Sequence, residues 1–234
     1  MDREKLPDLI INGVSGGAGG TYNNVAIDGV GTVTGSVLAQ IFKGNGQIRM
    51  KKDLTVKEAE CSGLTEVLGH MRSSNLKVDG MLTVGESLRG DTCTLHGMLQ
   101  VKGDCELEDF VGTGSFNIGG LLSVGHIDMK LQGQGKVSEM GVESLVIRQG
   151  ANGRWNKMLS GIIPKLKAEL RARVIEGDFI DVEYTTADII RGNIVIVGKG
   201  CTLGRIEYRE RITVHPEAKV GKVEKIGDGN NHSE

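Results

Sequence analysis

Apolar residues return at intervals of seventeen along the first half of the chain. Three columns with this spacing are apolar throughout. At a hydrophobic content of 38%, a given six-member column is apolar by chance roughly 0.3% of the time, so the repeat reflects the fold. The columns are Val33, Met50, Val67, Val84, Val101 and Ile118; Val37, Leu54, Met71, Leu88, Cys105 and Leu122; and Val25, Phe42, Ala59, Leu76, Cys93 and Phe110.

Polar residues and glycines follow the same spacing between these columns. One column is polar (Thr32, Arg49, Glu66, Thr83, Gln100 and Asn117), and another is glycine (Gly29, Gly46, Gly63, Gly80, Gly97 and Gly114). Buried and solvated side chains therefore alternate as they do along a strand, and glycine permits the positive φ of tight corners. Seventeen residues exceed a hairpin repeat and fall short of helical repeats. The sequence predicts an all-β, single-stranded parallel β-helix solenoid with about seventeen residues per coil.

The same period predicts further coils in the C-terminal third. Val146, Ile163, Ile180, Val197 and Val214 form one expected column, and Trp155, Ala172, Ile189, Ile206 and Val223 form another. The two halves are out of phase, which indicates insertions near 125–145. We therefore expect an N-terminal segment (1–20), a β-helix (21–226) of one body or two stacked halves, and a polar tail (227–234). Residues 156–173 fit a helical face and strict strand alternation alike, and the columns favour strand.

Composition narrows the function classes. The net charge is −2 and the pI near 6.2, so no overall positive field attracts nucleic acid. The first residues are too polar for a signal peptide. Four cysteines without metal-site spacing favour reduced thiols and a cytoplasmic location.

Catalytic chemistry finds little support in the sequence. The five histidines are scattered, and His96 falls in a polar column. Cys93 and Cys105 fall in apolar columns, where free cysteine packs as a small hydrophobe. The glycine run at 16–20 lacks the phosphate-loop pattern and fits a first corner. We expect no catalytic residue, metal or cofactor.

The two ends of the predicted solenoid are candidate contact surfaces. Terminal coils expose unpaired backbone groups and the cross-section of the core, and residues 1–9 and those after 226 do not resemble an amphipathic cap. A second copy could continue the ladder there. The residues expected at these contacts are Ile206, Val220 and Val223 at one end and Ile10 and Ile11 at the other.

The glycine-punctuated coils resemble the bactofilins, polymer-forming cytoskeletal proteins of bacteria. IEGDFIDVEYTTADIIRG (175–192) and IVGKGCTLGRIEY (196–208) are similar to longer members from Gram-positive bacteria. The resemblance covers most of residues 20–226. It implies a right-handed β-helix, nucleotide-free assembly into filaments or sheets, and a role in cell shape, the cell wall or motility.

The resemblance also implies partners and a location. The main partner is the chain itself, with a paralogous β-helix protein or cell-envelope proteins as further candidates. Some members carry a short N-terminal membrane anchor, which would place the protein at the inner face of the membrane. Leu6, Leu9, Ile10 and Ile11 are a weak match to that anchor and also fit a first strand. The proline-rich flanking tails common in the family are absent from this sequence, and the usual core is shorter.

Three other functions remain open. A hexapeptide-repeat acyltransferase would have eighteen-residue coils and a catalytic histidine, and a polysaccharide-active β-helix would need clustered catalytic side chains. A monomeric adaptor that binds one partner through its flat faces differs from a scaffold only in its state of assembly.

Overall fold

The chain folds into one parallel sheet that winds into a β-solenoid. The structure is a computed structural model that describes residues 6–150 and 168–227. Its eleven strands form a single ladder in chain order, with about twelve coils and no helix among the described residues. The all-β parallel fold is thus confirmed. The strands are β1 Leu9–Gly17, β2 Gly20–Val33, β3 Val37–Met50, β4 Leu54–Val67, β5 Met71–Val84, β6 Leu88–Val101, β7 Cys105–Gln149, β8 Glu169–Val182, β9 Thr185–Val197, β10 Thr202–Val214 and β11 Lys219–Lys225.

The predicted seventeen-residue register holds from β2 into β7. Val33 pairs with Met50, and Val84 pairs with Val101. The three apolar columns point into the core, where every member is at most 4% exposed. Because each coil stacks its inward side chains on the next, the core is a continuous apolar rod. Complete burial of one such aliphatic side chain contributes roughly 1.5–3 kcal/mol.

A glycine ladder forms one corner of the solenoid. Gly13, in β1, lies at its start, and the ladder continues through the predicted column to Gly114, each residue with positive φ. A Cβ on Gly80 would lie 2.3 Å from the carbonyl oxygen of Gly63 in the preceding coil. The corner therefore requires glycine for both its backbone conformation and its close stacking.

The C-terminal coils depart from the predicted period. β8 and β9 pair with a spacing of fifteen, so that Ile180 lies beside Val195, two residues before the expected Val197. The first part of β10 pairs with β9 at a spacing of sixteen, and seventeen returns after a shift between Tyr208 and Arg211.

The predicted C-terminal columns therefore combine different positions. Ile180 and Val197 are buried as expected, whereas Val214 is 39% exposed. Val146 is half-buried and pairs with Asp181, because its neighbour Leu145 takes the inward place beside Ile180.

The helix-or-strand question at 156–173 is answered only at its end. β8 begins at Glu169, so residues 169–173 are strand, and Ala168 lies just before it. Residues 156–167, with Ile163, lie outside the described residues along with Trp155. β7 pairs directly with β8 at an offset of 35 residues, as between Gln134 and Glu169. The right-handed winding and the division at 125–145 stay predictions.

Candidate assembly surfaces

The N-terminal end of the described ladder is formed by β1. Leu9 and Ile11 pair with Val25 and Ile27, whose side chains are buried, so they face the core. Asp8 fastens this end to the next coil, because its Oδ1 accepts hydrogen bonds from the backbone N of Asn24 at 3.0 Å and from the Asn24 side chain at 3.1 Å. Among the strands of the described residues, β1 pairs with β2 alone.

The C-terminal end is formed by the short strand β11 and the second half of β10. β11 pairs with residues 202–208 of β10. In the described part of the chain, residues 211–214 of β10 pair with β9 alone. Backbone groups on this stretch are available to a further strand.

Inward-facing apolar side chains lie uncovered at this end. Val214 and Val223 pair with the buried Val197 and Ile206, yet they are 39% and 47% exposed, and Val220 is half-buried. Ile226 follows β11, is 37% exposed and lies beside Asn193 and Arg209 on the outer face, away from the core. We call Val214, Val220 and Val223 the C-terminal end surface. It is a cross-section of the core that a following coil would cover.

Ion pairs hold the last coils together beside this surface. Glu207 is only 9% exposed, accepts a hydrogen bond from Arg191 Nε at 2.6 Å and forms an ion pair with Arg205, whose Nε lies 2.9 Å from Glu207 Oε1. Glu224 of β11 bonds Arg205 Nη2 and Lys222 Nζ, both at 2.5 Å. Hydrogen bonds from Lys222 and Arg205 lower the pKa of Glu224 from its ordinary 4.5. The network joins β9, β10 and β11, so the end surface rests on ordered coils.

The predicted end residues occupy different places. Val220 and Val223 belong to the end surface. Ile206 is fully buried beneath Val223, and Ile11 is 4% exposed. Ile10 pairs with the outward-facing Ala26 and is 65% exposed on the side of the rod. Val214, predicted as a core residue, is instead exposed at this end, because it stands at the last position of its column.

The thiols and histidines have structural surroundings. All four cysteines are free and buried, and burial raises the pKa of Cys61 and Cys105 to about 12. Such thiols are not nucleophilic at neutral pH. His96 lies 3.5 Å from Asp79 on an exposed face. Residues 6–150 and 168–227 contain no cluster of three or more His, Cys, Asp or Glu side chains arranged for a metal ion.

An open groove of about 390 Å³ runs along one face of the rod. Lys43, Glu60 and Lys77 follow each other along it in successive coils. Lys77 Nζ lies 3.0 Å from Asp79 and 3.5 Å from Glu60, and these contacts raise the pKa of Lys77. The charge of Lys77 in the groove is therefore neutralised by two neighbouring carboxylates.

The described residues include no helix long and apolar enough to cross a bilayer.

Two proteins of Bacillus subtilis (strain 168) are similar to part of this chain. The uncharacterized protein YhbF is 32% identical over 108 residues, which are 46% of this chain and 42% of YhbF. The uncharacterized protein YhbE is 34% identical over 106 residues, which are 44% of this chain and 42% of YhbE. The chain thus matches less than half of the length of either relative. No family model and no solved structure matches it.

Proposed function

We propose that this protein is a structural scaffold that assembles without nucleotide into filaments or sheets through end-to-end contacts of its β-solenoid. One observation carries the proposal: among the described residues, the ladder ends on an apolar cross-section, the C-terminal end surface, beside a half-paired strand. A second copy docked there gains backbone hydrogen bonds and covers Val214 and Val223. Both gains favour assembly.

The geometry of the contact determines the type of polymer. Every strand of the ladder is parallel and in chain order, so the two ends differ chemically. Head-to-tail contacts between unlike ends extend without limit, because the operation does not close. Contacts between like ends also give filaments if both ends take part.

The cellular role rests on the resemblance to bactofilins. It supports a part in cell shape, the cell wall or motility, and a cytoplasmic site at the inner face of the membrane. Partners would be copies of the chain, a paralogous β-helix protein or cell-envelope proteins.

A non-catalytic role accords with the site chemistry. The buried thiols Cys61 and Cys105 have raised pKa values, and Lys77 in the groove is paired with Glu60 and Asp79. A scaffold needs a rigid rod with ends that bind another copy. The continuous ladder and the exposed apolar end surface are suited to that role.

Electron microscopy of the purified chain without nucleotide tests the proposal. We expect filaments or sheets with a strand repeat of roughly 4.8 Å along the long axis, at low and high salt alike, because the end contact is apolar. Uniform single particles would overturn self-assembly and favour the monomeric adaptor.

The substitution Val223→Asp tests the end contact itself. A carboxylate on the C-terminal end surface must be desolvated on docking, so assemblies should become shorter while the melting temperature stays close to wild type. Leu38→Asp is the matched control, because Leu38 is 51% exposed on the side of the rod. Equal polymer length for Val223→Asp and wild type would contradict docking through this end.

A further inference from the structure

An exposed apolar column runs along the side of the rod, next to the glycine ladder. Each member directly follows a ladder glycine, and the register stacks them coil upon coil, with Gln47 as an interruption before Leu64 and Ser115 beyond the last member. Val14 is 86% exposed, Val30 45%, Leu64 51% and Met98 40%, and Met81 is half-buried. We call Val14, Val30, Leu64, Met81 and Met98 the lateral apolar column.

The surroundings of this column make a flat face. From β2 to β7 the next residue in each coil is buried, as Leu82 and Leu99 are at 0% exposure, so this part of the column stands on a well-packed sheet. On one side lies the glycine ladder, which has no side chains to shield the column. On the other lies the outward polar column from Thr32 to Asn117.

This face carries almost no net charge. The lateral apolar column and the polar column beside it contain two charged residues in β1 to β7, Arg49 and Glu66. These form an ion pair in which Arg49 Nε lies 2.6 Å from Glu66 Oε2. Two identical faces therefore approach without like-charge repulsion. An antiparallel arrangement about an axis between β3 and β4 places Arg49 of one copy opposite Glu66 of the other.

We propose that the lateral apolar column pairs with the same column of a second copy in a neighbouring filament. This inference rests on the proposed function. The face spans seven coils at about 4.8 Å each and two outward residues in width, which gives roughly 300 Å² per copy. A stable interface buries about 800 Å² per partner. One pair of monomers is thus too weakly joined, whereas filaments repeat the contact along their length and sum it.

Because one pair of monomers shares only a small contact area, we expect lateral pairing to follow polymerisation and to be absent from dispersed monomers. The end surface determines whether filaments form, and the lateral column determines whether they bundle into sheets. Changes in the column therefore separate the two steps.

Differential sedimentation tests this separation. Low-speed centrifugation pellets bundles, and high-speed centrifugation also pellets single filaments. For Leu64→Lys, and independently for Met98→Lys, we expect the low-speed pellet to fall at least about fivefold with the high-speed pellet unchanged, since charge accumulates along the repeated contact. Leu38→Lys is the control, because Leu38 has the same 51% exposure on another face. Thermal melts verify that each variant is folded.

Each outcome decides a different point. Lateral pairing would be overturned if both lysine variants gave low-speed pellets as large as the wild type, or if wild-type filaments did not bundle. Either result would leave the end contact intact. Wild-type protein in neither pellet would overturn the proposed function together with the pairing. Flotation with phosphatidylglycerol vesicles that is lost in Leu64→Lys, without wild-type bundles, would assign the column to a membrane and also overturn the proposal.

Discussion

At the scale of single residues, the core tolerates little chemical change. Val84 is 0% exposed and stacks between Val67 and Val101. For Val84→Asp we expect the free energy of unfolding to fall by about 4 kcal/mol or more, because a buried carboxylate there has no partner. Urea denaturation followed by circular dichroism measures the change. Thr94→Asp, on an outward position, should stay near wild type, and equal stability of both variants would contradict the column assignment.

The glycine ladder makes a second residue-scale prediction. Gly80 has a φ of +141°, and a Cβ there would lie 2.3 Å from Gly63 O. Gly80→Ala should cost about 2 kcal/mol or more through strain and displacement of the neighbouring coil. Gly141 has no atom within 4 Å of an added Cβ, so Gly141→Ala is the matched control. Similar urea midpoints for the two variants would show that the corner can relax.

At the scale of the elements, the sequence predicted the coils from β2 into β7 because their spacing is constant. In the C-terminal coils it assigned Val197 as the neighbour of Ile180, whereas the neighbour is Val195. Side chains alternate with a period of two, so an error of two residues still falls on an inward position. A chance apolar column can therefore persist through a coil of fifteen residues. At the spacing of sixteen the error is one residue, and Ile190 rather than the expected Ile189 lies inward beside Ile206.

The end surfaces were harder to predict than the core. Ile10 was expected at an end contact, but an offset of one residue turns its side chain to the outer face. Ile206 was expected there too, but β11 covers it. Hydropathy along one chain does not show which coil is the last to be covered, and that depends on where pairing stops.

The ion pairs of β11 make that strand sensitive to acid. The pKa of Glu224 lies below 4.5 in the folded chain because it accepts hydrogen bonds from Lys222 and Arg205. The stabilisation from these hydrogen bonds is complete above the pKa of Glu224 in the unfolded chain. It is lost as the pH falls through the pKa of Glu224 in the folded chain. NMR titration should show Glu224 titrating below pH 4.5 and β11 loosening with it. Glu224→Gln should abolish that dependence, and a pKa at or above 4.5 would contradict the network.

At the scale of the whole molecule, stability should vary along the axis of the rod. Each coil contacts only its neighbours, so end coils have one neighbour and central coils have two. We expect hydrogen exchange, followed by mass spectrometry on dispersed protein, to be fastest in β1 and β11 and slowest in β4 to β6. Assembly should slow exchange in β11 in particular. Uniform protection along the dispersed chain would indicate a single cooperative unit instead.

The constant register from β2 into β7 has a consequence for how such a rod can change in size. Leu54 and Met71 are stacked neighbours at equivalent positions of successive coils. Met71 could therefore follow residue 53 in the place that Leu54 occupies. Removing or duplicating residues 54–70 would keep every later side chain in its place. A gene can therefore lengthen or shorten this part of the rod by whole multiples of seventeen codons, in steps of roughly 4.8 Å, without any change in which side chains face the core.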